Sequence, residues 1–301
     1  MTAVLSRLRT GVERLGFRTL YRLADLTYAL GVATPKRTVA GGYWSYEPTN
    51  PHGDDPGLAA LDRLPDDAVI LDVGAHVGEH AIPLARGTDR RVVAFEPNGE
   101  SADRLARNVE RNGLGERIDL RRAGLGDANA TLTFYRSTFS KCSAFDRDLA
   151  TRWGASVAGT ERVPIRRLDD LVERVGDGDG AGEGEETDGA DEADEPGSTG
   201  DTEGAEPLDS VPRPDAIKVD VEGREAAVLR GAAATIAACR PLVVVEVHGE
   251  PAGDESTRAA TGPAESDAAA LLTWLETRGY AVEEAGDVWV CRPTREPNGE
   301  A

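Results

Sequence analysis

An apolar run that ends in an aspartate and two glycines is the first segment whose residue types indicate ligand binding. The run Val69–Val73 contains Asp72 and is followed directly by Gly74. Gly78 lies four residues further on, at GxxxG spacing. Parallel α/β sheets bind ligands beyond the carboxyl ends of their strands, where a glycine lets a ligand approach the backbone closely. The spacing is not the GxGxxG of dinucleotide-binding proteins, so no pyrophosphate cradle is expected. The turn therefore predicts a nucleoside ligand without phosphates.

Two further acidic residues follow the next apolar runs. Glu96 lies 22 residues after Gly74 and ends the run Val92–Phe95. A carboxylate at this position can accept hydrogen bonds from both hydroxyls of a ribose, so we predict that Glu96 binds the sugar of the nucleoside. Asp127 lies in the turn after the third run, where it can meet the adenine amino group. An aspartate that only shapes the turn is the alternative interpretation.

Alternating strands and helices are predicted to position these residues. Buried strands are expected at Val69–Val73, Arg91–Glu96, Ile118–Arg121, Ala216–Asp220 and Leu242–Val247. Helices are expected at Gly78–Arg86, Ser101–Asn112, Leu168–Val175, Glu225–Ala238 and Ser266–Arg278. Ser101 is the predicted N-cap of its helix, and Gly113 is the residue that ends it.

The end of the chain changes from alternation to a hairpin. Tyr280–Glu284 and Val288–Arg292 form a predicted antiparallel pair, and Thr131–Tyr135 has the alternation of another hairpin arm. Strand–helix alternation that closes on a hairpin predicts an α/β fold. We expect a seven-stranded, mostly parallel sheet related to the doubly wound nucleotide-binding sheets.

Six segments in this order resemble the FkbM family of methyltransferases. They are Val69–Gly78, Val93–Asn98, Ala123–Asp127, Arg167–Asp170, Ile217–Gly223 with Val228–Gly231 behind it, and Val245–Glu246. The Lys-x-Asp-x-Glu-Gly element within Ile217–Gly223 is the most distinctive. The resemblance implies a class I methyltransferase (Rossmann-like) fold, bound S-adenosyl-L-methionine as cofactor, and usually O-methylation of a glycan or small-molecule hydroxyl. His76 stands where the family commonly has Asn.

The resemblance divides the candidate site into a cofactor side and a reaction side. The candidate cofactor-binding residues are Asp72, Gly74, His76, Gly78, Glu96 and Asp127. Methyl transfer to a hydroxyl requires an aligned acceptor oxygen and a group that removes its proton. Asp220, Glu222 and His248, in that order, are the candidate general bases at the ends of the fourth and fifth strands. Alternatively, Asp220 and Glu222 orient the substrate or bind the methionyl amine.

Two other sets of ionisable residues are interpreted more simply. Lys218 is one of only three lysines, which favours a catalytic role, whereas a paired cation within the strand is the alternative. His52 and His80 are interpreted as structural, and no metal site is predicted. Lys141 is assigned to a loop over the acceptor site.

The chain is strongly acidic, with 54 Asp and Glu against 34 Lys and Arg and a net charge of -20. Hydrated carboxylates on a lysine-poor surface resemble the cytoplasmic proteins of salt-accumulating halophiles, although a coding bias toward Arg and Ala is the alternative. Nucleic acid is not expected as a partner, because no dense basic patch occurs. Three widely spaced cysteines predict neither a disulfide framework nor a zinc site, and favour a reducing cytoplasm.

Two segments lie outside the matching motifs. Residues 1–52 are predicted to be an N-terminal helical extension, which packs on the domain or on a second subunit rather than lying on a membrane surface. Residues 53–301 form the predicted methyltransferase domain. Within it, residues 176–210 carry 14 acidic residues and no Lys or Arg, so a disordered insertion is favoured over a calcium site.

Two other functions are compatible with the same motifs. One is methylation of a macromolecule, either protein or RNA, although the Asn-Pro-Pro-Tyr type motif of base methylation is replaced by Asp220-Val-Glu-Gly223. The other is a non-catalytic scaffold that binds the cofactor, which the carboxylates of the fourth strand disfavour because burying them costs desolvation. The sequence does not identify the acceptor or the oligomeric state.

Overall fold

The computed structural model describes residue 16 and residues 19–173, 209–247 and 264–294. The strands are β1 (Thr34–Thr38), β2 (Gly41–Ser45), β3 (Val69–Val73), β4 (Arg91–Phe95), β5 (Ile118–Arg121), β6 (Gly124–Leu125), β7 (Ala130–Ser137), β8 (Val157–Arg166), β9 (Ala216–Val219), β10 (Leu242–Glu246), β11 (Tyr280–Ala285) and β12 (Val288–Pro293). The helices are α1 (19–30), α2 (Pro56–Leu61), α3 (Ala81–Ala85), α4 (Gly99–Asn112), α5 (Arg147–Ala150), α6 (Glu225–Gly231), α7 (Ala233–Cys239) and α8 (Ala264–Glu276).

A seven-stranded sheet with the order β11-β12-β10-β9-β3-β4-β5 forms the centre of the fold. Neighbouring strands from β5 to β10 run parallel, and β12 pairs antiparallel with both β10 and β11. The strand order reverses between β3 and β9. After β3, the chain adds β4 and β5 on one side of it, and then returns to place β9 and β10 on the other side. A ligand cleft is expected at the carboxyl ends of β3 and β9. The predicted α/β class and sheet are confirmed.

The central strands are buried on both faces, as continuous apolar runs require in a parallel sheet. Leu71 and Ile217 pack into the hydrophobic cluster on one face, whereas Ile70 and Ala216 pack into the cluster on the other. Side chains alternate between the faces of a strand, so each short run supplies both layers of the core. This double burial holds the ends of β3 and β9 in place.

Two helices begin at positions that differ from the prediction. Helix α3 starts at Ala81 rather than at Gly78, because the φ of Gly78 is +90° and a right-handed helix cannot include it. The N-cap of α4 is Asn98, whose side chain accepts a hydrogen bond from the backbone N–H of Glu100. Ser101 is therefore not the cap. The predicted end of α4 is confirmed, since Gly113 adopts the left-handed conformation.

Two other predicted helices are interrupted. The segment 225–238 forms α6 and α7 with a break at Ala232, where Gly231 approaches the chain so closely that a Cβ would lie 1.9 Å from the carbonyl oxygen of Gly126. Within the described part of the predicted helix Leu168–Val175, which ends at residue 173, the helical structure is a single 3-10 turn, Leu168–Asp170. Its Asp169 carboxylate accepts hydrogen bonds from the first turn of α7.

Two β structures were not predicted in full. The segment Thr131–Tyr135 lies in β7, which pairs antiparallel with β8 in a three-stranded sheet of order β6-β8-β7. The N-terminal region is not helical throughout, because β1 and β2 form an antiparallel hairpin. Helix α1 packs on the domain, where the Tyr28 hydroxyl accepts a hydrogen bond of 2.8 Å from Asn108 Nδ2. The choice between packing and a membrane surface for the whole extension stays a prediction, because residues 1–15 lie outside the described part of the chain.

The predictions for the start of the N-terminal extension and for the acidic insertion concern residues that the structure does not describe. Residues 1–15 and most of the acidic insertion 176–210 lie outside the described residues. Among the helices of the described residues, none combines the length and the apolarity needed to cross a bilayer.

Candidate functional site

A cavity of about 970 Å³, counting its part open to solvent, lies at the carboxyl ends of β3, β4 and β9. The predicted residues that line it are Gly74, His76, Glu96, Lys218, Asp220 and Glu222. Asp72, Gly78 and Asp127 do not line it, and His248 lies outside the described residues.

Glu96 is the buried carboxylate at the end of β4. Its Oε2 accepts a hydrogen bond of 2.7 Å from the His76 backbone N–H, and its Oε1 accepts one of 2.8 Å from the Asn98 backbone N–H. Burial raises the pKa of Glu96, and attraction to His76 only partly opposes this. An ionised carboxylate has about four acceptor sites, so both oxygens keep capacity for a ligand's hydroxyls. This geometry fits a ribose.

His76 occupies a turn that requires an unusual backbone. Its φ is 48°, in the left-handed region where Asn, Asp and His are enriched among residues other than glycine. That shared tolerance explains how a histidine replaces the asparagine common in the family. The His76 ring directs Nε2 to the Ser140 hydroxyl, 3.1 Å away. His76 therefore contributes its backbone N–H to Glu96 and its ring to the cavity lining.

Lys218 is a buried cation between two aspartates. Its Nζ lies 3.0 Å from Asp72 Oδ1 and 3.5 Å from Asp220 Oδ2, and it donates a 3.0 Å hydrogen bond to the Gly74 carbonyl. Burial lowers the pKa of Lys218, but attraction to Asp72 and Asp220 exceeds that effect and raises it above the ordinary value. Lys218 is therefore charged, which favours the paired cation over a proton acceptor. Asp72, which is almost fully buried, acts on the cavity through Lys218.

The space beside each of the two glycines of the motif is filled by other protein atoms. A Cβ at Gly74 would lie 1.8 Å from the Asp220 carbonyl oxygen, and the φ of Gly74 is +82°. A Cβ at Gly78 would lie 2.5 Å from a methyl group of Leu105. Gly74 thus lets β3 and β9 approach each other at the cavity floor, and Gly78 lets the turn pack on α4.

Gly74→Ala is expected to destabilise the protein by more than about 3 kcal/mol, because it combines backbone strain of about 1–3 kcal/mol with a clash against backbone that cannot move freely. Gly87→Ala is the matched control, since Gly87 has a φ of +79° but nothing within 4 Å of the added carbon. Urea unfolding of both variants measures the difference. Equal losses of stability in the two variants would contradict the close approach at Gly74.

The acidic residues after β9 differ in their partners. Asp220 follows β9 directly and faces the cavity beside Lys218. Glu222 has a left-handed φ of 55° and forms an ion pair with Arg152, which lies 70 residues earlier in the chain. Asp220 directly follows the strand end, whereas the pair with Arg152 holds Glu222 to another segment, so Asp220 remains the first candidate for the general base.

Asp127 is not brought to the cavity. One oxygen of its carboxylate accepts hydrogen bonds from the Nε and Nη2 of Arg230, at 3.1 and 2.9 Å. The hydrogen bonds from Arg230 lower the pKa of Asp127, and this pair is exposed. The geometry favours the turn interpretation over contact with adenine. Gly124 and Leu125, two residues earlier, line the cavity instead.

Several residues of the site were not predicted from the sequence. Glu79 is buried, and its Oε2 binds Lys141 Nζ at 2.7 Å and lies 3.4 Å from His52 Nε2. Burial raises the pKa of Glu79, but attraction to Lys141 and hydrogen bonds with His52 and His76 hold it well below the ordinary value. Lys141 lines the cavity, as its loop was assigned to do. The sequence signal that could have indicated Glu79 is its position between His76 and His80, next to the glycine turn.

Arg224 is the other cation that was missed. Its guanidinium lines the cavity and lies 5.6 Å from the centre of the Phe145 ring. Among the described residues no carboxylate forms an ion pair with Arg224, and its buried Nε has no hydrogen-bond partner there. A guanidinium in this state is suited to bind a carboxylate or another anionic ligand.

The sheet order, the cavity at the strand reversal and the ribose-type carboxylate define a class I fold with a nucleoside site. The family model described as "Methyltransferase FkbM domain" matches residues 72–180 and 187–282. The chain belongs to this family, whose cofactor is S-adenosylmethionine. The residues of the cavity fit this cofactor, since Glu96 offers acceptors to a ribose and no pyrophosphate cradle accompanies Gly74.

Individual relatives cover part of the chain. The hexuronic acid methyltransferase AglP of Haloferax volcanii is 29% identical over 188 residues, which are 62% of this chain and 59% of that protein. The AMB antimetabolite synthetase AmbE of Pseudomonas aeruginosa is 31% identical over 65% of this chain and 9% of that protein. A solved FkbM methyltransferase of Methylobacillus flagellatus KT matches with a TM-score of 0.42 and 16% identity, over 76% of this chain and 44% of that one.

Proposed function

We propose that this methyltransferase O-methylates a hydroxyl of an acidic sugar. The observation that carries the proposal is the Arg224 guanidinium, which faces the cavity without an ion-pair partner among the described residues. A partly buried guanidinium is stabilised by a carboxylate in bidentate geometry, and a uronic acid supplies one beside several hydroxyls. The similarity to a hexuronic acid methyltransferase supports the same class of acceptor.

The residues of the cavity divide the work of such a reaction. Bound S-adenosylmethionine supplies a methyl group on a positively charged sulfur. Glu96 binds the ribose and thereby fixes the donor at the end of β4. Asp220 accepts the proton of the acceptor hydroxyl, since it follows β9 and lies in the cavity lining. Alignment of donor and acceptor supplies much of the rate enhancement in displacements of this kind.

Lys218 holds Asp220 in position. Its ammonium lies between Asp72 and Asp220, so the aspartate that faces the cavity has a fixed positive neighbour. Glu222 is assigned to orientation through its pair with Arg152.

The compartment is proposed to be the reducing cytoplasm. Cys142, Cys239 and Cys291 are all free, and Cys142 and Cys291 are buried. Burial raises the pKa of the Cys291 thiol to about 12, which keeps it protonated and unreactive.

Arg224→Met is expected to raise KM for a uronic acid acceptor by roughly 10-fold to 100-fold, because a hydrogen-bonded charge contributes about 1.5–3 kcal/mol. Activity on the corresponding neutral sugar and the Kd of the donor are expected to stay within a few-fold. Arg122→Met, which removes an exposed guanidinium paired with Asp103, is the control. The measurement is initial-rate kinetics on the uronic acid and the neutral sugar.

The same assay separates the alternatives. Equal activity on acidic and neutral sugars in the wild type would contradict the assignment of Arg224 to the acceptor. A raised donor Kd in Arg224→Met would place the guanidinium on the cofactor side instead. Turnover on protein or RNA, with none on any sugar, would replace the proposal by macromolecule methylation.

A further inference from the structure

Three ligand-type side chains from two segments meet beside the cavity. His52 precedes α2, Asp55 is the N-cap of α2, and His80 ends the turn that contains Gly78. One side-chain atom from each lies within 4.8 Å of the other two. His80 is buried, and less than a fifth of the His52 side chain is exposed. Both histidines also line the cavity.

The spacing of these atoms matches the edges of a metal coordination shell. Asp55 Oδ2 lies 3.2 Å from His52 Nδ1 and 3.3 Å from His80 Nε2. Ligands about 2.0–2.1 Å from a metal ion are roughly 3.3 Å apart in tetrahedral geometry and roughly 3.0 Å apart in octahedral geometry. One carboxylate oxygen is therefore at coordination spacing from both imidazoles. Two histidines and one carboxylate are also a ligand set that divalent transition-metal ions accept.

The surroundings of the three residues hold them as a metal site requires. The other Asp55 oxygen accepts a 2.8 Å hydrogen bond from the Leu58 backbone N–H, which fixes the carboxylate. The second nitrogen of His52, Nε2, lies 3.4 Å from Glu79 Oε2. Metal-binding histidines commonly direct their other ring nitrogen to a carboxylate, which sets the tautomer and the ring orientation. Glu79 supplies that outer contact.

We propose that His52, Asp55 and His80 bind one divalent transition-metal ion at the side of the cavity. Three protein ligands leave at least one coordination position open, and the two histidines border the cavity, so this position is available to water or to an oxygen of the acceptor. The ion places positive charge next to the acceptor. The proposal stands independently of the acidic-sugar assignment, because metal binding is measured without acceptor or donor.

Co²⁺ is the probe, since its visible absorption reports on its ligands. The full-length protein is stripped with EDTA, dialysed and titrated with Co²⁺, followed by competition with Zn²⁺. We expect saturation at one ion per chain, with absorption bands of a nitrogen-ligated ion that Zn²⁺ abolishes. His52→Ala and His80→Ala are each expected to weaken binding by at least roughly 100-fold.

Two variants separate loss of the ion from loss of the fold. Asp55→Asn keeps a residue that caps helices well and removes the anionic ligand, so we expect weaker metal binding in an apo-protein that still unfolds cooperatively. Arg122→Met changes an exposed cation that is not one of the three ligands, and it should bind Co²⁺ like the wild type.

The competing occupant of the cluster is a proton. Burial lowers the pKa of His52, but hydrogen bonds with Asp55 and Glu79 exceed that effect and raise it to about 9, so the apo-protein can hold the carboxylates with an imidazolium. If protons suffice, the stripped protein shows no saturable Co²⁺ binding, or Asp55→Asn and both His→Ala variants bind as tightly as the wild type. Either result overturns the metal site.

Discussion

The Glu96→Gln protein is expected to bind S-adenosylmethionine at least roughly 100-fold more weakly than the wild type. The substitution keeps the side-chain volume but replaces a carboxylate acceptor by an amide. Hydrogen bonds to a charged group contribute about 1.5–3 kcal/mol each, and a ribose has two hydroxyls to donate. In the wild type, the backbone N–H groups of His76 and Asn98 each donate to an oxygen of Glu96. The N–H₂ group of glutamine would face one of these two N–H groups, and two donors cannot form a hydrogen bond with each other. Titration calorimetry with the donor measures the change in Kd.

The control for this prediction is Glu100→Gln, on the first turn of α4. The Glu100 side chain is about half exposed and pairs with Arg104 on the surface. Exposed pairs contribute about 0–1 kcal/mol, so donor binding should match the wild type. Donor affinity within a few-fold of the wild type in folded Glu96→Gln would show that Glu96 does not carry the ribose.

Lys218→Met is expected to lower the free energy of unfolding by about 3–5 kcal/mol. The substitution leaves Asp72, which is 1% exposed, without its cationic partner, and an uncompensated buried charge costs this much. It also removes the hydrogen bond from Lys218, on β9, to the carbonyl of Gly74, which directly follows β3. Urea unfolding at neutral pH measures the loss.

A second variant and a control test the cause. Adding Asp72→Asn to Lys218→Met removes the stranded charge and should recover more than half of the lost stability. Lys36→Met is the matched control, because Lys36 is also a buried strand lysine, but within the described residues no carboxylate lies within ion-pair distance of it. A loss in Lys36→Met as large as that in Lys218→Met would contradict the role of the ion pair.

The fold was largely predictable because its signals are local. Apolar runs followed by glycine or an acid identify β3, β4 and β9, since double burial requires such runs in a parallel sheet. The N-terminal hairpin and the sheet of β6, β7 and β8 were harder. Their half-exposed strands are short or irregular, and their pairing joins distant segments such as β7 and β8. The interruption at Gly231 depends on contact with Gly126, which no local pattern reveals.

The positions of site residues were predictable where the residue directly follows a buried strand. Glu96 and Asp220 follow buried strands directly, so their placement in the cavity follows from the sheet. Asp127 was placed by the same rule, but an arginine on α6 binds it instead. The pair between Glu222 and Arg152 joins residues 70 positions apart, and the pair between Glu79 and Lys141 joins residues 62 positions apart, so both required the tertiary structure.

The measurement that tests the central claim most directly is a crystal structure of the protein with S-adenosylhomocysteine bound. The account predicts both ribose hydroxyls within hydrogen-bond distance of the Glu96 carboxylate. It also predicts that the sulfur faces Asp220, with the side of the cavity beyond it open for an acceptor. A product molecule whose ribose lies away from Glu96, or whose sulfur faces away from Asp220, would contradict it.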